Sequence, residues 1–264
     1  MVHMIDSIAN VFLSLTRDQF IIPLIILGYI WINRDTFYHA TCLILVSMIF
    51  NCALKVTFQI PLSAVIGKEG FAFPSGHMLS ATIFFGWLAF RSGSLAIRTL
   101  IIVLLTGIGL SLIHFQYHNY YDVLGAIFFA LLQMVAYYQL ATKKNSILRW
   151  STIFVSTILV IYIYLKFRQI VSHIWMAYYA LIGFILSEKI FLRVNIPCSV
   201  LEKIVRTIIC FSSVCGIVFI FSNEIFLNLP IFIANLKWLL IGFVVPYTSQ
   251  LTWVSKGQKY SHLH

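Results

Sequence analysis

Long apolar runs separated by short polar loops follow one another along most of this chain, and they constrain its fold more than any other feature. They lie approximately at residues 20–33, 39–57, 77–90, 98–115, 121–141, 151–165, 170–187, 207–222 and 231–250. A backbone inside lipid must satisfy its own hydrogen bonds, and in runs of this kind the helix does so. Since 61% of the 264 residues are hydrophobic and 10% charged, the sequence predicts an all-α, polytopic transmembrane bundle of about nine spans.

The chain divides into three parts. Residues 1–19 place apolar side chains at helical spacing among polar ones, which predicts an amphipathic segment lying at the membrane interface. Residues 20–141 contain all the polar groups discussed below and form the predicted catalytic core. Residues 142–264 add four further spans, with the seam between Thr142 and Trp150. We expect no removable signal peptide.

The basic residues predict the orientation of the bundle. The net charge is +10, but the lysines and arginines lie in short loops, which is a topology signal rather than the signature of a nucleic-acid-binding protein. With nine spans, 12 of the 18 lysines and arginines fall on one side. That side is predicted to be cytoplasmic and to hold the C-terminus, with the N-terminus outside.

The stretch Phe73-Pro74-Ser75-Gly76-His77 opens the apolar run that ends at Phe90. A Pro-Ser-Gly helix start leaves backbone N–H groups free, and glycine lets a ligand come close to them. Such a terminus favours an anion, most often phosphate. His77 adds a group that transfers protons near neutral pH. The alternative is a helix start with no function.

Lys55 lies at the tail of the second apolar run. Its ammonium group could neutralise a bound phosphate. It could equally be a lysine whose charged end reaches the membrane interface.

His118 and Asp122 are the strongest candidates for a catalytic pair, since Asp122 is the only acidic residue between Glu69 and Glu188. An unpaired carboxylate at the start of an apolar run is costly, and a histidine four residues earlier is the obvious partner. A carboxylate that holds one ring nitrogen makes the other a better nucleophile. The alternative is that Asp122 caps a helix beside an interfacial histidine. We expect His114, one turn earlier, to pack rather than join the site.

These segments resemble the three signature motifs of the type 2 phosphatidic acid phosphatases, the PAP2 family, which shares its core with the vanadium haloperoxidases. The residues concerned are Lys55, the stretch from Phe73 to His77, and the run from Ser111 to Gly125 that contains His118-Asn119-Tyr120-Tyr121-Asp122. The resemblance covers residues 39–141.

The resemblance implies a role for each residue. His118 would attack phosphorus to give a phosphohistidine, Asp122 would orient His118, and His77 would protonate the departing oxygen. Lys55, Ser75 and Gly76 would hold the phosphate oxygens. No metal and no cofactor is implied.

Two departures from the family pattern concern phosphate binding. The arginines that the family places in the first and third motifs correspond here to Leu62 and Leu112. An arginine binds phosphate by paired charge-assisted hydrogen bonds, and losing one such donor can cost on the order of a hundredfold in rate. Either another cation such as Lys68 substitutes, or the substrate differs, or the site is weak or inactive.

Together these observations predict a membrane phosphatase that hydrolyses a phosphate monoester or diphosphate of a lipid. The expected setting is a bacterial inner membrane with the site facing the periplasm, and the expected partners are a lipid phosphate and the bilayer. The alternative is a catalytically degenerate protein of the same fold that binds or moves lipid phosphates. The sequence names neither the lipid nor the oligomeric state.

Overall fold

The fold is taken from a computed structural model that describes residues 2–62, 69–142, 145–191, 199–223 and 229–251. Lys68, considered above as a substitute cation, lies outside the described residues. Within the described part, 83% of the protein is helical and no strand is formed. Pro61 and Phe71 make an isolated antiparallel bridge.

Eleven helices are described. They are α1 (Val2–Ser14), α2 (Asp18–Leu27), α3 (Arg34–Phe58), α4 (Gly76–Arg91), α5 (Leu95–His114), α6 (Tyr120–Ala141), α7 (Asn145–Phe167), α8 (Ser172–Ile190), α9 (Val200–Phe221), α10 (Ile231–Ala234) and α11 (Leu236–Thr248). A π-helical turn, Gly28–Ile32, continues α2 and ends at Asn33. The Asn33 side chain accepts a hydrogen bond from the Thr36 amide and so caps α3.

Six helical segments are long and apolar enough to cross a membrane, or seven if α1 and α2 form one bent span. They indicate an integral membrane protein. The predicted count of about nine is not confirmed. Two predicted runs correspond to helices outside this set, namely α4 and α8. At 16 residues, α4 is only about 24 Å long, and a bilayer core is about 30 Å thick.

Helix α3 lies at the centre of the bundle and packs against α4, α6, α7 and α8. Its buried residues contribute to two clusters. The larger joins α3 to α4, α5 and α6, and the smaller joins the second half of α3 to α7 and α8. Since helices from both halves of the sequence contact α3, the position of Lys55 near its end depends on both.

Polar contacts lock one end of the bundle, which we call the Arg34 end. The Arg34 guanidinium contacts Glu188 at 2.7 Å, and the Tyr29 hydroxyl donates to the same carboxylate. Asp35 contacts Arg91 at 3.0 Å. These contacts bring the start of α3, the end of α4 and the end of α8 to the same level.

The most extensive contact between helices joins α8 to α11. Two glycines allow it, because a Cβ at Gly183 would overlap the carbonyl oxygen of Leu239, and one at Gly242 would overlap that of Ala180. Small residues let membrane helices approach to backbone contact. This contact fixes α11 against the rest of the bundle.

Candidate active site

The opposite end of the bundle brings together the polar residues singled out from the sequence. The starts of α4 and α6 meet there, since the Ser75 amide donates to the Asp122 carbonyl at 3.1 Å. Gly76 lies against Asn51 of α3, where an added Cβ would come within 3.0 Å of the amide nitrogen. One turn further along α3, the Lys55 ammonium donates to the Phe71 carbonyl at 2.7 Å.

Asn119 and Asp122 form a capping box at the start of α6. The Asn119 side chain accepts from the Asp122 amide at 2.9 Å, and the Asp122 carboxylate accepts from the Asn119 amide at 3.0 Å. Such reciprocal bonds satisfy two backbone donors at the helix start. The capping role considered for Asp122 is therefore present, with Asn119 as the N-cap.

The same Asp122 carboxylate faces His118. Its Oδ2 atom lies 3.4 Å from His118 Nδ1, and both side chains are buried, with 9% of the histidine and 3% of the aspartate exposed. Because Nδ1 faces the carboxylate, Nε2 is the nitrogen left to react. Burial lowers the pKa of the His118 imidazole, and the Lys55 charge also lowers this pKa, whereas Asp122 raises it. His118 is therefore neutral at neutral pH, which is the form that attacks an electrophile.

His77 occupies the first turn of α4 and is an exposed residue. The charged groups that act on it are Lys55, Asp18 and Arg17. Lys55 also acts on His118, and Asp122 acts on Lys55. The four titratable residues chosen from the sequence thus share one electrostatic environment.

Ser75 is completely buried, and its hydroxyl has no hydrogen-bond partner among the described residues. The Asn51 side-chain oxygen is buried without a partner in the same part of the structure. Buried polar atoms of this kind are costly unless something satisfies them. A ligand oxygen at the start of α4 could accept from the Ser75 hydroxyl.

A cavity of about 420 Å³ opens beside His118. It is lined by Ile60, Pro61, Ala72, Ile113, Gln116, Tyr117, His118, Asn119, Tyr120 and Asp122. Three tyrosines beside it are exposed by 45%, 65% and 80%, namely Tyr117, Tyr120 and Tyr121. Tyrosine is enriched where a membrane protein meets the headgroup layer. The cavity thus combines an apolar wall with the imidazole–carboxylate pair.

Three positions considered from the sequence stay outside the site. His114 contacts Asp6 of α1 at 2.8 Å instead of joining His118. Leu112 is 2% exposed in the core, and its carbonyl accepts from the His118 amide at 3.3 Å. Leu62 lies on the short connection after α3 and packs near Gly70. Neither leucine offers a charge to an anion.

Two further residues near the site were missed by sequence reasoning. Asn51 precedes Lys55 by four residues and so lies on the same face of α3, a spacing that could have identified it. His173 lies in the first turn of α8, and the Lys55 charge acts on it. Like His77 in α4, His173 is the second residue of its apolar helix.

Gly125 of α6 packs closely against Phe73, because a Cβ added at Gly125 would overlap the Phe73 ring. That ring is held by Phe58 and Phe129, with ring centroids 5.0 Å and 6.2 Å away. We expect Gly125→Ala to displace Phe73 together with the start of α4. Small misplacements of catalytic groups are costly, so turnover should fall by about tenfold or more.

Gly216→Ala is the matched control, because nothing lies within 4 Å of a Cβ at this helical glycine. Turnover of both purified variants, compared at equal folded concentration, checks the prediction. Equal turnover in Gly125→Ala and wild type would show that the Phe73 contact does not position the site.

Residues 36–146 match the family model of the PAP2 superfamily. Members of this superfamily are generally phosphatases, and the match indicates phosphatase-type activity, that of a phosphoric ester hydrolase. No curated protein and no solved structure matches the chain.

Proposed function

From the PAP2 superfamily domain at residues 36–146, we propose that this protein is a membrane phosphatase acting on a phosphate monoester or diphosphate of a lipid. One observation carries the proposal beyond the family. The His118–Asp122 pair lies at the start of α6, joined by a backbone hydrogen bond to the start of α4, where the Ser75 hydroxyl has no partner among the residues that the structure describes. A nucleophile and a phosphate-binding helix start are thus adjacent.

The proposed reaction has two steps. His118 Nε2 attacks phosphorus while the bond from phosphorus to the leaving oxygen breaks, and His77 gives that oxygen a proton. Water then attacks phosphorus in the phosphohistidine while His77 takes one proton from that water, the N–P bond breaks, and inorganic phosphate leaves with His118 neutral and His77 protonated again. Lys55, the Ser75 hydroxyl and the Gly76 amide would neutralise charge on the phosphoryl oxygens during both steps.

A lipid substrate is favoured by where the cavity lies. It opens among exposed tyrosines, and Ile60, Pro61 and Ile113 form apolar wall beside His118. A phosphate on an amphipathic molecule could reach Lys55 while its tail remained among the surrounding lipids. The bilayer is therefore part of the proposed substrate site.

We also propose that the site faces the extracytoplasmic side. Among the described residues, the helix ends on the Arg34 side carry seven basic residues, namely Arg34, Arg91, Arg98, Arg149, Lys189, Lys203 and Arg206. Those on the site side carry five, namely Arg17, Lys55, Lys166, Arg168 and Lys237. By the positive-inside rule, the Arg34 end and the C-terminus would be cytoplasmic. In a bacterial inner membrane the site would then face the periplasm.

A second candidate function is binding or movement of a lipid phosphate without turnover. The observation in its favour is Leu112, which is buried in the core where the family resemblance expects an arginine. A site with weakened phosphate contacts could hold a ligand without reacting.

Phosphate release by the purified protein in detergent, with a chelator present, separates the two functions. The substrates would be phosphatidic acid, phosphatidylglycerol phosphate, a prenyl diphosphate, a lipid A phosphate and a water-soluble phosphate ester. We expect release from at least one lipid and much less from the soluble ester. Release from none would contradict a phosphatase and favour the binding function, and release from the soluble ester alone would contradict a lipid substrate.

A further inference from the structure

Helix α5 ends in a Schellman motif, and Gln116 holds the left-handed position of that motif. The Gln116 amide donates to the Ile113 carbonyl at 2.9 Å, and the Tyr117 amide donates to the Leu112 carbonyl at 3.0 Å. These two bonds define the motif, whose left-handed residue is usually glycine. Gln116 has a φ of 56°, which any residue with a Cβ disfavours. A glutamine thus stands where glycine would suit the backbone better.

Two other residues share this backbone conformation. Gln59 at the end of α3 has a φ of 52°, and Arg168 at the end of α7 has a φ of 55°. Neither residue lines the cavity beside His118, whereas Gln116 does. What distinguishes Gln116 is therefore its place in the site, and Arg168 offers a comparison for the backbone effect alone.

The end of α5 also fixes Gln116 relative to His118. The Leu112 carbonyl accepts from the Tyr117 amide at 3.0 Å and from the His118 amide at 3.3 Å. Leu112 itself is buried in the core. Because one buried residue anchors the two positions that follow Gln116, this short segment holds Gln116 and His118 on the same cavity wall.

The side chain of Gln116 is free to bind a ligand. It is exposed and makes no hydrogen bond to any part of the chain that the structure describes. The other amide side chain of the cavity, that of Asn119, is occupied by its bond to the Asp122 backbone. A carboxamide offers two donors and an acceptor without a charge. Beside the apolar wall of Ile60 and Ile113, it suits a neutral polar atom.

The residues assigned to the phosphate lie outside this cavity wall. None of Lys55, Ser75 and Gly76 is among the residues that line the cavity. With the phosphoryl group held by those three residues, the cavity would receive the part of the substrate next to the phosphate. Gln116 would then meet that part rather than the phosphoryl oxygens.

We propose that Gln116 determines substrate specificity, its side-chain amide donating a hydrogen bond to a neutral oxygen of the lipid close to the phosphate. This inference rests on the proposed function, because it concerns the molecule that carries the phosphoryl group. The substrate class that it selects is a phosphate monoester on an oxygen-bearing linker such as a glycerol ester. A phosphate joined directly to a hydrocarbon chain offers the amide no such acceptor.

Two matched lipids test this with the full-length protein in detergent, namely 1-oleoyl lysophosphatidic acid and oleyl phosphate. Their chains are equally long, and only the first has a glycerol ester between chain and phosphate. The variants are Gln116→Gly, Gln116→Asn and the control Arg168→Gly. The measurements are kcat/KM on each lipid and the thermal unfolding midpoint. Binding of both labelled lipids to His118→Ala, with and without Gln116→Gly, adds a readout that needs no turnover.

We expect Gln116→Gly to lose about three- to tenfold in kcat/KM on lysophosphatidic acid and about twofold or less on oleyl phosphate, the effect of one neutral hydrogen bond. Gln116→Asn keeps a shorter amide and tolerates the left-handed backbone, so its loss should be intermediate. The unfolding midpoint of Gln116→Gly should equal or exceed that of wild type, because glycine suits this position. Arg168→Gly should also be as stable as wild type, with unchanged kcat/KM on both lipids.

The outcomes separate this inference from the proposed function. If Gln116 only ended α5, glycine would serve at least as well, so unchanged kcat/KM in Gln116→Gly would overturn the specificity role and leave the phosphatase intact. An equal loss on both lipids would also overturn it, since Gln116 would then act through the position of His118. Weaker binding of lysophosphatidic acid alone, without turnover of either lipid by wild type, would support Gln116 and contradict the phosphatase. No binding of either lipid would overturn the inference.

Discussion

Replacement of His118 by alanine is expected to abolish lipid phosphate hydrolysis, with turnover falling by roughly a thousandfold or more. The variant removes the only nucleophile in the proposed mechanism and leaves the capping box of α6 in place, since that box uses Asn119 and Asp122. Phosphate release under saturating substrate is the measurement. Rapid acid quenching of wild type with labelled substrate should also trap a phosphohistidine that His118→Ala lacks.

His114→Ala is the matched control for His118→Ala. It removes an imidazole one turn earlier, whose contact is with Asp6 of α1, and it should retain most of the turnover. Undiminished release in His118→Ala would exclude the phosphohistidine mechanism. A labelled intermediate that persisted in His118→Ala would show that another residue is the nucleophile.

Gly183→Ala should cause one of the largest losses of stability among glycine-to-alanine changes at the described glycines. The new Cβ would overlap the carbonyl oxygen of Leu239, and a backbone carbonyl inside a helix cannot move aside as a side-chain end can. Overpacking usually costs about 1–3 kcal/mol, and a rigid contact such as this one belongs at the upper end. Thermal unfolding in detergent should show a lower midpoint by roughly 5 to 10 °C.

Gly216→Ala again provides the control, because its Cβ would meet nothing within 4 Å. Alanine is the better helix former by about 1 kcal/mol, so this variant should be as stable as wild type or more so.

Gly242→Ala changes the contact between the same two helices, because its Cβ would overlap the Ala180 carbonyl oxygen. Combined with Gly183→Ala, it should lose less than the sum of the two, because α8 and α11 need separate only once. A thermal unfolding midpoint of Gly183→Ala equal to that of wild type would show that α8 and α11 pack less closely at Leu239 than described.

Local sequence patterns predicted most of the helices. The apolar runs 77–90 and 121–141 correspond closely to α4 and α6, because a helix in lipid begins and ends where apolar residues do. The pairing of His118 with Asp122 could also be predicted, since a spacing of four residues brings two side chains together at a helix start.

What the sequence could not predict depends on packing between distant segments. The starts of α4 and α6 meet through the hydrogen bond from the Ser75 amide to the Asp122 carbonyl, a contact between segments separated in the sequence by the whole of α4 and α5. The span count also differed for a structural reason. Helix α4 has only 16 residues, so its length does not identify it as a span although its sequence is apolar.

The exposed tyrosines beside His118 also bear on the energetics of substrate capture. Tyr117, Tyr120 and Tyr121 belong to a residue type that prefers the headgroup layer, so in the proposed function they would hold the His118 imidazole at the depth where lipid phosphates reside. Pulling an acyl chain into water costs about 0.8 kcal/mol for each CH₂ group, or roughly 12 kcal/mol for a 16-carbon chain. An enzyme at this depth need not extract its substrate, and encounter becomes two-dimensional diffusion within one leaflet.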